Sequence, residues 1–200
     1  MKLLLVRHGE TDWNIAKRIQ GGTDIPLNET GIRQAAALAE KLSCRATPIH
    51  AVYTSRLLRA KQTGEAIAKK ISVPCQTVAG LEELNFGLWE GICWEEVETR
   101  FPEEYFLWRQ NRRYEHPPKG ESYNELLLRF LPVLKNLCQK HAKYKDGDIV
   151  VVTHSACIMA LLSLLNNTPF YEMIKRYKLP NTAVVELDAD TDWNMEHYKK

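Results

Sequence analysis

No stretch of this chain is apolar for long enough to span a bilayer. The longest, residues 156–165, is broken by Ser163 and falls well short of the roughly 18 residues a span needs. Near the amino end, Arg7 and His8 cut off the apolar run LLLV before an h-region of about 7 to 15 residues can form, so no signal peptide is expected. Charge of one sign is equally scarce. With 27 basic and 25 acidic side chains the net charge is +2, which leaves no broad field for nucleic acid or an anionic membrane; any anion must be recognised locally. The five cysteines, Cys44, Cys75, Cys93, Cys138 and Cys157, are odd in number and widely spaced, with no C-x-x-C pair. That pattern excludes a disulfide framework and a thiolate metal site, and a reducing cytoplasm is the expected setting. There is no internal repeat or low-complexity segment. At 200 residues the chain is expected to be one domain, 1–200, long enough to bury a sizeable core.

What is present is an alternation of strand and helix. Strand-like runs fall at residues 2–6, 49–53, 75–78, 148–153 and 183–187, the first and fourth apolar enough for interior parallel strands. Between them lie helical patterns at 29–42, with Ile32, Ala35, Ala36, Ala39 and Leu42 on one face, and at 56–71, with Thr63, Ile67 and Ile71. This order predicts an α/β fold: a three-layer α/β/α sandwich built from right-handed crossovers. A further helix is expected over 122–144, opened by the capping-box pair Ser122 and Glu125 and kinked or broken at Pro132. The end of the chain reads as two short strands about a polar turn, an antiparallel addition that makes the sheet mixed but mostly parallel. Residues 94–123 interleave Phe101, Tyr105, Phe106, Trp108, Tyr114 and Tyr123 with Arg109, Arg112 and Arg113. They read as a small helical, lid-like insertion or as a helical pair whose aromatics simply pack inward.

Three strand ends carry chemistry. The first strand runs into Arg7-His8-Gly9-Glu10-Thr11, the second into Thr54-Ser55-Arg56-Leu57-Leu58-Arg59, and the fourth into Thr153-His154-Ser155. In open α/β sheets, ligands bind outside the carboxyl ends of the strands, where helix N-termini favour phosphate. A guanidinium there adds a permanent, bidentate donor suited to phosphate oxygens. Either Arg56 or Arg59 suits that work, and each alone reads equally as a surface charge. A lone strand-end histidine is usually structural; His8 and His154, on two strands of one sheet, can share a pocket. The segment LEELNFGLWEG offers Glu82, Glu83 and Glu90 as proton donors, or as ordinary solvated carboxylates.

Taken in order, RHGETDWN, SRLLRAKQT, LEELNFGLWEG, KGES and VVTHSA resemble the histidine phosphatase superfamily, also called phosphoglycerate mutase-like, over nearly the whole chain. Thr11 after Arg-His-Gly-Glu, and Ser155 rather than Asp after His154, are similar to branch 1, with its mutases and small phosphatases. The resemblance implies His8 as nucleophile, Arg7, Arg59 and His154 as the phosphate pocket, and Glu83, four residues before Gly87, as proton donor. It places Asn14, Gln20, Gly21 and Ser155 against the substrate, and implies neither metal nor cofactor. The implied activity is hydrolysis of a small phosphomonoester through a phosphohistidine. LEELNFGLWEG followed by PPKGES is most similar to α-ribazole-5'-phosphate phosphatase-type and broad-specificity small phosphatases. Two positions depart from the pattern. Ser155 stands where a glycine is common, and Asn85 stands where mutases carry a histidine, which points away from a phosphoglycerate mutase. The remaining alternatives are that mutase, a catalytically inactive phosphate-binding module, and a zinc hydrolase using His8 and His154.

Overall fold

The computed structural model describes residues 1–143 and 147–194. Among these, five strands form one sheet: β1 (Lys2–Arg7), β2 (Ile49–Thr54), β3 (Cys75–Thr77), β4 (Asp148–Thr153) and β5 (Val184–Asp188), in the order β3-β2-β4-β1-β5. β4 pairs in parallel with both β1 and β2, β3 is parallel to β2, and β5 adds antiparallel to β1. The helices are α1 (Asp12–Ile15), α2 (Glu29–Ser43), α3 (Leu58–Ile71), α4 (Trp94–Arg100), α5 (Pro102–Gln110), α6 (Tyr123–His141), α7 (Ser155–Leu165) and α8 (Met173–Arg176).

The period-2 geometry of a strand sorts the sheet's side chains into two cores. Leu3, Leu5, Tyr53, Ile149 and Val151 face the layer that contains α6 and α7. Leu4, Val6, Val52, Val150 and Val152 face α2 and α3. Both faces of β1 and β4 are therefore covered, which is why LLLV and IVVV read as unbroken apolar runs, and the sandwich has the three layers expected. Each fully buried leucine or valine contributes about 1.5–3 kcal/mol, so a charge at Val151 would disrupt both sheet and site.

Several expectations need correcting. The 75–78 run gives only Cys75–Thr77, exposed throughout, at the edge of the sheet. In α2 the buried face is Gly31, Ala35, Leu38, Ala39 and Leu42, while Ile32 and Ala36 point outward. The reason is contact: a Cβ on Gly31 would lie 2.1 Å from the Glu10 carbonyl, so Gly31 must face inward and the helix is rotated accordingly. α6 opens with the Ser122–Glu125 capping box but runs unbroken through Pro132. Pro132 and Leu128 both lie on the solvent side, so the Leu128 carbonyl that loses its partner is turned to water. The helix stops at His141, and position 144 lies outside the described residues. The second strand of the expected C-terminal pair does not form at 192–194, and 195–200 lie outside the described residues.

Residues 94–123 contain α4 and α5, and their aromatics join the α6/α7-side core. Trp94 and Trp108 stack with ring centroids 5.4 Å apart, and Trp89 meets Trp108 edge-on at the same distance. The inward-packing reading of this segment therefore holds for these rings, whereas Phe106 and Tyr114 are exposed. No helix among the described residues is long and apolar enough to cross a membrane.

Candidate active site

Parallel pairing places the ends of β1, β4 and β2 side by side. Arg7 is opposite Thr153 and Thr54 opposite Val152, and the His8 amide donates to the Thr153 carbonyl at 3.1 Å. The next residues of β1 and β4 are His8 and His154, so two histidines 146 positions apart in sequence bring their rings to 5.2 Å. Arg59 sits in the first turn of α3; Arg56 is exposed and lies 3.7 Å from Glu82. Thr11 caps α1 through a capping box with Asn14, fixing the loop that follows His8. Gly9 permits that loop to press against α2, since a Cβ there would meet the Gly31 carbonyl at 2.6 Å.

A cavity of about 260 Å³ is lined by Arg7, His8, Asn14, Gln20, Gly21, Arg59, Glu83 and Ser155, with Arg18, Phe86, Trp94 and Tyr123 among its walls. Of the residues the resemblance placed at the site, all but His154 line this cavity. His154 stands behind His8 rather than on the cavity wall, its Nε2 2.9 Å from Ser55 Oγ.

His8 Nδ1 lies 2.7 Å from the Gly9 carbonyl, an acceptor only, so Nδ1 carries the proton and Nε2 keeps a lone pair. Burial, then Arg59, then Arg7 hold the His8 pKa well below its usual value; burial and Arg59 do the same to His154. In both, the surroundings favour the neutral imidazole. The guanidinium of Arg59 donates to the Thr23 and Gly21 carbonyls, each at 2.8 Å, and that of Arg7 to the Leu179 carbonyl. Among the described residues, the buried Nε of each and the buried Gln20 Oε1 find no hydrogen-bond partner. Asn14 Oδ1 is taken by Thr11 and Asn181, which leaves its amide NH₂ for another acceptor. Glu83 is buried and accepts from the Leu84 amide at 2.9 Å and, at the start of α7, from the Ala156 amide at 3.2 Å. Among the described residues no group of three or more His, Cys, Asp or Glu side chains is placed to hold a metal ion.

Several residues of the site were not legible in the sequence. Thr63 Oγ1 accepts from the Gly9 amide, and Asn181 donates to the His8 carbonyl. Glu90, read as a possible solvated charge, clamps the Gln20–Gly21 loop to the Phe86 loop by accepting from the Gly22 and Phe86 amides and the Thr23 hydroxyl. Its place beside Gly91 in LWEG was the available signal. Gly21 has φ +50°, and a Cβ there would collide with Glu90. Asn85 is exposed and caps the Gly87 amide at 2.8 Å instead of facing the cavity.

A family model described as the histidine phosphatase superfamily (branch 1) matches residues 3–199. The chain belongs to that superfamily. This histidine phosphatase is 41% identical over 163 residues to a metal-independent phosphoserine phosphatase of Arabidopsis thaliana, a match covering 80% of this chain and 66% of the plant protein. It is 34% identical over 198 residues to a probable phosphoglycerate mutase of Yersinia pestis, covering 96% and 87% of the two chains. Its fold superposes on a mycobacterial glucosyl-3-phosphoglycerate phosphatase complexed with VO3 with a TM-score of 0.82 at 27% identity, covering 94% of this chain and 90% of that one. The histidine phosphatase is an enzyme of the phosphoric monoester hydrolase class.

Proposed function

We infer that the chain hydrolyses a small phosphomonoester through a phosphorylated His8, without a metal ion. The observation that carries this reading is His8, its Nδ1 held by the Gly9 carbonyl so that Nε2 is left to face a cavity shared with the guanidiniums of Arg7 and Arg59. In the first step Nε2 attacks phosphorus in line, an N–P bond forms, the ester P–O bond breaks and the departing oxygen takes a proton from Glu83. In the second, the Glu83 carboxylate takes a proton from water, whose oxygen attacks phosphorus; the N–P bond breaks and its electron pair returns to His8. The products are an alcohol and phosphate. Arg7, Arg59, the Asn14 amide and the start of α7 supply a fixed field for charge on the phosphoryl oxygens.

Phosphoserine and glucosyl-3-phosphoglycerate, named for the relatives, both carry a carboxylate on the leaving group. Arg18 on the cavity wall fits such an ester. A volume of about 260 Å³ lies below the roughly 300–1,000 Å³ of sites for drug-sized ligands. That favours a compact carboxylated ester over a nucleoside-sized one such as α-ribazole 5'-phosphate. Five unpaired cysteines fit a reducing, cytoplasmic compartment. A panel of phosphoserine, 3-phosphoglycerate, sugar phosphates and α-ribazole 5'-phosphate, assayed in chelator, tests the reading: phosphoserine-type esters are expected to show the highest kcat/KM. Activity lost in chelator overturns the metal-free scheme. 2-Phosphoglycerate forming from primed 3-phosphoglycerate faster than free phosphate overturns hydrolysis in favour of the mutase.

A further inference from the structure

Glu83 sits on an irregular loop, yet a proton donor must hold its position to a fraction of an ångström. Its carboxylate is fixed from one side by the Leu84 and Ala156 amides. The main chain beneath it is fixed from the other side by Arg129 of α6. Nη1 of Arg129 donates to the Gly80 carbonyl at 3.0 Å and the Glu82 carbonyl at 2.9 Å, and Nη2 to the Glu83 carbonyl at 2.9 Å. The remaining donors, Nε and Nη2, grip both oxygens of Glu121. All five N–H donors of the guanidinium are thereby used. Glu121 in turn accepts from the Asn85 amide and donates its own amide to the Asn85 carbonyl, each at 2.9 Å. The loop from Gly80 to Asn85 is thus held at four of its six residues by one ion pair.

We propose that the Arg129–Glu121 pair is the positioning device for Glu83, setting how far the proton donor reaches toward the departing oxygen while leaving the phosphate pocket untouched. Neither residue lines the cavity, and neither touches Arg7, His8, Arg59 or His154 by hydrogen bond. A lysine in place of Arg129 has three donors on one nitrogen and cannot span three carbonyls and a carboxylate. Burial opposes the Arg129 charge, but the hydrogen bond to Glu121, together with the charges of Cys157, Glu121 and Glu82, raises its pKa on balance.

The inference rests on Glu83 as donor, and the test separates the two. Arg129→Lys, Glu121→Gln and Glu83→Gln are compared on the best alkyl ester of the panel and on 2,4-dinitrophenyl phosphate, whose leaving group needs no proton. Inorganic phosphate inhibition and thermal melting are measured alongside. Arg129→Lys is expected to lose on the order of 100-fold in kcat/KM, which reports the transfer to His8 and not the later hydrolysis, on the alkyl ester and less than about tenfold on the activated ester, with phosphate inhibition unchanged. Glu121→Gln, which leaves the three carbonyl contacts, is expected to show the same selectivity at smaller amplitude and stands in if Arg129→Lys does not fold. Equal loss on both esters, weakened phosphate inhibition in parallel, or no loss overturns the clamp, provided Glu83→Gln is itself selective for the alkyl ester. A Glu83→Gln variant without that selectivity overturns the donor reading, and the clamp with it.

Discussion

The two sides of the cavity are built by different means. On the phosphate side, Arg7, His8 and His154 leave adjacent parallel strands, and their spacing is set by ladder hydrogen bonds such as His8 to Thr153. On the leaving-group side, Glu83, Trp94 and Tyr123 come from a loop and helix starts that no ladder positions. Side chains hold them instead: Arg129 under the Glu83 loop, Glu90 across to Gly22, and Trp108 between Trp94 and Tyr123. On the proposed reading, the group common to every phosphomonoester meets rigid main chain, and the variable alcohol meets a surface that substitutions can reshape without disturbing the sheet.

The sharpest way to break this division is at His8. His8→Ala is expected to cost on the order of 10,000-fold or more in turnover, as removal of a nucleophile does, while inorganic phosphate still binds through Arg7 and Arg59. Initial rates and phosphate binding by calorimetry check both halves, and near-normal turnover would refute the nucleophile. Arg59→Ala comes next, with an expected loss of about 100- to 1,000-fold. It also carries a pH signature. Burial, Arg59 and Arg7 all disfavour the imidazolium, so His8 stays neutral and nucleophilic below the usual histidine range. Removing Arg59 lets His8 protonate at higher pH, and the acid limb of kcat/KM moves upward; histidine NMR titration reads the same shift directly. An acid limb that stays put would show that Arg59 does not act on His8 through its charge.

The same division explains what could be read from the residues alone. Strand ends announce themselves: LLLV before Arg7-His8 and IVVV before Thr153-His154 are interior strands, and parallel pairing then brings the two histidines together. The choice of Arg59 over Arg56 does not follow from the residues alone and rests on the family resemblance; α3 starting at Leu58 puts Arg59 in its first turn and leaves Arg56 outside it. What escaped was held by contacts that have no local pattern. Arg129 lies 46 residues from Glu83 and Asn181 173 residues from His8. The α2 face was misread by one step because apolar periodicity favoured Ile32, whereas the steric demand at Gly31 comes from Glu10 on another segment. Of the kink or break expected at Pro132, the break does not occur, because the solvent-facing side of α6 accommodates the proline.

On the side-chain-built half, Trp108→Ala is expected to cost about 3–5 kcal/mol of stability, since the ring is fully buried among four aromatic partners or more. Denaturant unfolding measures it. In the fraction that remains folded, KM for the ester is expected to rise while inorganic phosphate inhibition is retained. Loss of both together would mean that the two sides are a single unit.

The smallest effect locates the boundary of that half. Phe106 lies on α5 between half-buried Tyr105 and exposed Leu107 and is itself 60% exposed, so Phe106→Ser is expected to change stability by no more than about 0.5 kcal/mol. Its kcat/KM should stay within about twofold of the parent, because Trp108 rather than Phe106 anchors α5 to the cavity wall. A selective drop in ester turnover at constant phosphate inhibition would extend the leaving-group surface to the outer face of α5. Substrate choice would then be read well beyond the cavity that Glu83 and Trp94 line.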